Sequence, residues 1–446
     1  MSAPAMSWGR WPRQEHRALV PLLDRSAGVP LNLPGMLLPY GNGRSYGDVC
    51  LNEAGTLLTS RSLDRFIAFD PQAGILQCEA GVLLSEIIEL VLPHGWFPAV
   101  TPGTAFVSVG GAIANDVHGK NHHRTGCFSH HVREFQLFRS DGSSLHCSPT
   151  ENRAWFEATV GGLGLTGLIT RATLQLRRVP GPWIRGDSQR FANLREFFAL
   201  SAQSDADYEY CAAWIDCAAV GAASGRGVFT RGNHAPGDGT PGYGGPGARA
   251  APKVRSLHMP LTPPVSLINR LSLRAFNAFY YHRSSAVQPD ALWHYRPFLY
   301  PLDSITEWNR VYGPRGFFQY QCVVPEGNAA DSIKEMLSRI SASGVGSFLA
   351  VLKRFGDIAP LGLMSFARPG TTLALDFPNH GEVTLKLLDS LDDITRAAGG
   401  AVYPAKDARM SGAAFREYFP AWSEFSRFID PKFSSSFWRR VAGAQA

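Results

Sequence analysis

The sequence predicts an α+β protein built from two domains, and three observations carry that reading. Two glycine-rich segments lie about 60 residues apart, GNGRSYGD at 41–48 and PGTAFVSVGGAIANDVHGKNHH at 102–123. Around them short strand patterns alternate with a single helical one, as in a small mixed sheet. Beyond residue 183, apolar strands flanked by two long amphipathic patterns predict a second sheet covered by helices. At 446 residues the chain is long enough for both domains, and 45% hydrophobic with 18% charged residues is ordinary for a folded protein.

Each glycine segment has the composition of an anion cradle. Glycine lets backbone N–H groups approach an anion where a Cβ would clash, and the small polar residues between add further donors. The first segment has no Lys after its last glycine and no G-x-x-x-x-G-K-[ST] string, which excludes a nucleotide-triphosphatase loop. The second reads as strand, turn and a small-residue run (Val109, Gly110, Gly111, Ala112, Ile113, Ala114) expected to lie flat beneath a planar ring. A pyrophosphate with an aromatic head, as in a flavin dinucleotide, suits both. Strands are expected in 57–70 and from 75, then a helix over 83–92 that stops at Pro93. GLGLTG, with Gly162, Gly164 and Gly167, matches the dinucleotide fingerprint G-x-G-x-x-G, and Asp187 falls 20 residues further on. Yet Leu168, Thr170, Ala172, Leu174 and Leu176 alternate with Arg171, Thr173, Gln175 and Arg177, a strand where that fingerprint demands a helix. A tight turn into a half-buried strand is predicted instead, with no nicotinamide site. Pro180, Gly181 and Pro182 close the first domain, 1–182.

The second domain, 183–399, has its clearest strands in YEYCAAWIDC (208–217), GFFQYQCVVP (316–325) and TTLALDFP (371–378), with helices over 330–343 and 383–398. Residues 231–252, dense in Gly and Pro, are expected to form a mobile loop. VSLINRLSLRAFNAFYYHR (265–283) mixes Leu, Ile and Phe with Arg270, Arg274 and Arg283. Such a stretch either lies on a membrane or lipid tail, or packs on the core as an amphipathic helix.

Composition excludes several classes. Seven cysteines without a C-x-x-C pair argue against a disulfide framework or structural zinc and favour a reducing compartment. No apolar stretch reaches membrane-spanning length and the N-terminal residues carry no apolar export core, so a cytoplasmic location is expected. A net charge of +6 with no block of five basic residues favours phosphates or an anionic membrane surface over nucleic acid. His118, His122, His123, His130 and His131 cluster, but no acidic or thiolate partner stands at metal-ligand spacing and Gly119 and Gly126 argue for a loop, so no metal is expected. A histidine here better serves polar contact or proton handling beside a flavin. Lys406, in VYPAKDAR, is a charge within an apolar approach. It suits holding an alcohol and removing its proton as hydride leaves carbon; the alternative is a surface lysine paired with Asp407. Lys353, in AVLKRFG, is open to the same two readings.

Taken in order, GRSYGD, PGTAFVSVGGAIANDVHGKNHH, TVGGLGLTG, FQYQ, LKRFG, LDFP and YPAKDAR resemble the flavoprotein oxidases of the vanillyl-alcohol oxidase type. Among these they are most similar to the decaprenylphosphoryl-β-D-ribose 2′-oxidase family, from about residue 8 to residue 440. The resemblance implies a two-subdomain FAD-binding fold with an α+β substrate (cap) domain, the segment 400–446 returning to the flavin. Flavin contacts are implied at Gly41, Asn42, Gly43, Arg44, Ser45, Tyr46, Gly47, Asp48, Pro102, Gly103, Thr104, Ser108, Gly110, Gly111, Asn115, His118, Gly162, Gly167 and Lys406. A substrate pocket is implied at Lys120, Trp214, Gln319, Gln321, Lys353 and Ala374. The implied chemistry is hydride transfer from a sugar carbon to flavin N5, with Lys406 on the hydroxyl and His118 supporting ring and substrate. The implied donor is a polyprenyl-phosphate-linked pentose, the alternative a soluble polyol or aldonolactone. A separate NAD(P)H-dependent reductase is the implied pathway partner; peripheral contact with the inner membrane surface is expected from the net charge and the 265–283 stretch instead. Two departures matter. Arg44 stands where many relatives carry a flavin-linking histidine, so FAD is expected to be noncovalent, and Ala374 replaces the pocket cysteine before the D-F-P string.

Overall fold

The computed structural model describes residues 5–236, 257–284 and 287–443. The chain begins with a parallel three-stranded sheet, β1 (Ala18–Pro21), β2 (Leu37–Tyr40) and β3 (Thr56–Thr59), in the order β1-β3-β2. Next comes a six-stranded sheet of β4 (Phe66–Asp70), β5 (Ile75–Glu79), β6 (Trp96–Pro98), β7 (Val132–Phe138), β8 (Ser144–Cys147) and β9 (Leu168–Arg178). The eleven-residue β9 is its spine, pairing with β5, β6 and β7. The helix Leu84–Val91 packs beside it because Leu84, Ile87, Ile88 and Val91 recur at helical spacing and are all buried. Its first turn is closed by Glu86, which accepts the Leu83 N–H at 2.7 Å.

Residues 183–402 build an eight-stranded sheet in the order β14-β10-β12-β11-β17-β18-β16-β19, where β10 is Trp183–Phe191, β11 Tyr210–Ile215, β12 Gly227–Ala235, β14 Val287–His294, β16 Phe317–Val324, β17 Ala350–Phe355, β18 Gly370–Pro378 and β19 Ala401–Val402. A small pair, β13 (Leu257–His258) with β15 (Ile305–Thr306), stands apart. Alternation decides what each face of the large sheet sees. Phe318, Tyr320 and Cys322 of β16 turn into the core with Ile333 and Met336 of the helix Glu326–Ser343 and Leu388 and Leu391 of the helix Glu382–Ala397. Gln319 and Gln321, between them, point to the opposite face.

Two expectations are corrected. The run at 109–114 is a helix, Val109–Ala114, capped by Ser108, whose hydroxyl accepts the Gly111 N–H; it meets the cavity along one side, through Gly110, Gly111 and Ala114, rather than as a flat ribbon. Residues 231–235 belong to β12, where backbone pairing outweighs their loop-like composition, and residues 237–252 of the expected loop lie outside the described residues. Within 265–283 the helix is Arg270–Arg283, with Leu273 and Asn277 buried. At the C-terminus β19 joins the edge of the large sheet. The chain then returns to the first domain, where Leu37 bridges Phe433 and Arg440 reaches Asp48. Among the described residues no helix is long and apolar enough to cross a membrane.

Candidate active site

One cavity of about 920 Å³ lies between the two domains. Its walls are the two glycine segments, the turn before β9, the free face of the large sheet and the turn Pro404–Lys406.

The first glycine segment is fixed at both ends. Trp8 N–H bonds Ser45 O at 2.7 Å, and Tyr46 N–H bonds Ala405 O at 2.8 Å, which ties this loop to the Lys406 turn. Gly43 needs its φ of +60°, and Gly47 lies so close to Asp407 O that a Cβ would come within 1.7 Å. Arg44 is sandwiched 4.0 Å from the Trp8 ring and 5.5 Å from Phe106, and its buried Nε has no protein partner. From the second segment, Pro102, Gly103, Thr104, Ser108, Gly110 and Gly111 all line the cavity. Asn115 donates to Gly111 O at 2.8 Å and leaves its buried Oδ1 unpartnered. An orphaned donor on Arg44 and an orphaned acceptor on Asn115, along a glycine-lined wall, fit a cofactor that carries both anionic oxygens and N–H or O–H donors.

The sheet supplies the opposite wall by register. Gln319 pairs with Asp376, Gln321 with Ala374, Ala374 with Val351, Lys353 with Thr372 and Val351 with Trp214, so alternate residues of four strands share one face. Gln319, Gln321, Ala374, Asp376, Val351, Lys353 and Trp214 all line the cavity. The Gln319 amide donates to Asp376 Oδ1 at 2.6 Å, and the Trp214 indole to Phe348 O at 2.9 Å. The Gln321 amide nitrogen stands 2.9 Å from His118 Nε2; donating there, it leaves the neutral ring's proton on Nδ1, which is buried without a protein partner. Lys120 donates to Phe298 O, 5.2 Å from that ring's centroid.

Burial dominates the electrostatics. It holds His118 well below its ordinary pKa, with help from the charge of Lys353, so the imidazole is neutral. It lowers Lys353 to about 8 and, with Lys353, Lys120 to about 7. Lys406 sits 3.7 Å above the Tyr46 ring. Burial lowers its pKa against the upward pull of Asp376, while burial raises Asp376 against the pull of Gln319 and Lys406. The result is a buried amine and carboxyl, each shifted by burial toward its neutral form and each pulled back by the other.

Most of the residues expected from the sequence therefore stand on one cavity; three do not. Asp48 turns away to Arg440 (Oδ1 to Nη2, 2.7 Å), Gly47 packs on Asp407, and Gly162 packs on Ala158 and Phe425 while Leu163, Gly164 and Gly167 reach the cavity. The surface pairing of Lys406 with Asp407 is not formed: Asp407 accepts from Met410 N–H and from Arg440. The other histidines disperse, His123 to Tyr208 O, His131 to Thr125 O, and His122 against Phe355. Asp376, Asp303 and Tyr403 were missed. Asp376 had a signal, a lone carboxylate two residues from Ala374 in an otherwise apolar strand; Asp303, which accepts the Ala105 N–H at 2.8 Å, had none.

Residues 33–148 match the family model of an FAD binding domain. Decaprenylphosphoryl-beta-D-ribose oxidase of Mycolicibacterium smegmatis is 36% identical over 414 residues, 91% of this chain and 89% of that protein. The chain belongs to this oxidase family. More distant likenesses are confined to shorter stretches: mouse L-gulonolactone oxidase, 29% identical over 137 residues and 30% of each chain, and rice cytokinin dehydrogenase 10, 31% over 130 residues, 28% of this chain and 24% of that one. The protein is an FAD-dependent oxidoreductase with an α+β fold, and both glycine segments lie inside the matched FAD binding domain.

Proposed function

We propose that the protein oxidises the 2′ hydroxyl of a polyprenyl-phosphate-linked pentose to the ketone. The observation that carries this reading is the meeting of Lys406, Asp376, Gln319 and Gln321 on one wall of the cavity that the glycine segments close. FAD, once bound, supplies the acceptor for the hydride that leaves the carbinol carbon. Lys406, as the free amine, takes the hydroxyl proton, and Asp376 stabilises the ammonium that results. Neutral His118, held by Gln321, orients the sugar without competing for that proton. Arg44, Asn115 and the segment 102–111 would hold the cofactor, noncovalently because no histidine occupies the Arg44 position. Lys120 and Lys353 add positive charge to the same cavity, which suits a donor carrying phosphate. The keto product must be reduced elsewhere to complete an epimerisation, by a separate NAD(P)H-dependent reductase.

The test is anaerobic bleaching of the flavin by polyprenyl-phospho-ribose, free ribose and a soluble polyol. The lipid-linked sugar is expected to be far the faster, since each buried CH₂ contributes up to about 0.8 kcal/mol to capture. Equal rates would overturn the reading in favour of a soluble polyol or aldonolactone.

A further inference from the structure

Of the sixteen large apolar side chains exposed among the described residues, eight fall between residues 257 and 280. Leu257, Leu261, Val265, Leu271 and Phe279 are each more than 60% exposed. Scattered singly, such residues would need no explanation, but half the total within 24 residues is a patch. The same stretch, 257–283, contains no Asp or Glu, and its helix carries Arg270, Arg274 and Arg283, all exposed. Neighbouring acids are engaged elsewhere: Glu307 pairs with Arg310, and Asp303 accepts from Ala105 N–H.

The patch is joined to the active site. On the helix Arg270–Arg283, Leu273 and Asn277 face the core, whereas Phe276 and Tyr280 line the cavity, against Phe348 at 4.6 Å and Trp214 at 4.7 Å. Leu271 and Phe279 take no part in the cavity and stay in solvent. The segment is anchored, since Arg310 holds the carbonyls of Met259 and Pro260 at 3.0 and 2.9 Å.

We infer that the face formed by residues 257–283 docks on an anionic lipid bilayer and opens the cavity to it. Apolar side chains that enter the acyl boundary, basic residues for the headgroups and a helix lying along the surface together make an interfacial anchor. The inference takes its purpose from the lipid-linked donor proposed above, because a tail left in the bilayer need not be extracted, but its test uses no substrate. FAD-loaded protein is sedimented with vesicles of phosphatidylcholine alone or with about 30% phosphatidylglycerol. Binding to the anionic vesicles is expected, at least about tenfold stronger than to neutral ones and weakened by salt. The double variant L271E/F279E should lose about 30-fold or more in that binding, while its flavin content is unchanged. Should the variant fail to fold, hydrogen exchange of the wild type with and without vesicles reads the same surface, with added protection expected in 257–283. Wild type that ignores both vesicles, a variant that binds as well as wild type, protection only elsewhere, or a dimer that the variant splits would each overturn the inference.

Discussion

Replacing Lys406 separates two roles that the geometry allows a lysine, base and fixed charge. K406M keeps an unbranched stem of similar length and removes the Nζ, 3.7 Å from the Tyr46 ring centroid, the only group in the proposed mechanism that accepts the hydroxyl proton. General-base assistance is worth about 10²- to 10⁴-fold, or about 3–5 kcal/mol in the barrier at 1.36 kcal/mol per decade. K406R keeps a cation beside Asp376 but cannot accept a proton. The assay is single-turnover flavin bleaching with saturating donor under anaerobic conditions, with flavin content measured alongside. Both variants should retain flavin and lose at least about two orders of magnitude. If K406R bleaches near the wild-type rate while K406M does not, Lys406 supplies only charge; if K406M does so too, the assignment is wrong.

Further outcomes follow from the same structure. A base works deprotonated, and burial lowers the Lys406 pKa, so bleaching should be lost as pH falls through that depressed value and saturate above it; a limb near the ordinary lysine value of about 10 would refute the assignment. R440M would leave Asp48 and Asp407, both nearly fully buried, without their shared cation, at a cost of about 3 kcal/mol in denaturant unfolding; a loss under about 1 kcal/mol would show that the knot is not structural. A374C should place a thiol on the cavity wall that a small electrophile labels in the mass spectrum, whereas six native cysteines are buried and burial pushes Cys50, the one half-exposed, up to about 12; labelling confined to native cysteines would refute the register of β18. Acid precipitation should release the yellow colour to the supernatant, and colour kept in the pellet would reveal a covalent flavin.

What the sequence disclosed and what it hid divide along one physical line, the separation of the partners. Period-two alternation is local, so β9 was legible against its misleading glycine fingerprint, and Gln319 and Gln321 were legible as residues on one face. The helix Val109–Ala114 was hidden by its glycine pair, although the Ser108 cap stood in plain sight. β12 was misjudged at 231–235 because the residues after it set the composition of the window. The partner of Asp48 was beyond local reading, and for Lys406 local reading left two alternatives open. Each is polar, each is flanked by small residues, and nothing nearby says which turns inward to a ligand and which to a partner. Arg440 decides both, 392 residues after Asp48 and 33 after Asp407. By engaging both carboxylates it withdraws Asp407 from its neighbour. Lys406 is left with Asp376, from β18, as the carboxylate that tunes it, and the tether from Tyr46 N–H to Ala405 O holds the Lys406 turn against the glycine loop. The basicity of the amine is thus set by a tertiary exchange of partners, which is why the R440M variant, if it folds at all, should also shift the acidic limb of the bleaching profile: Asp407, released, would compete for Lys406 and raise its pKa, moving the limb to higher pH. An unmoved limb in a folded R440M protein would show that Asp407 does not reach Lys406 and that the exchange has no bearing on the amine.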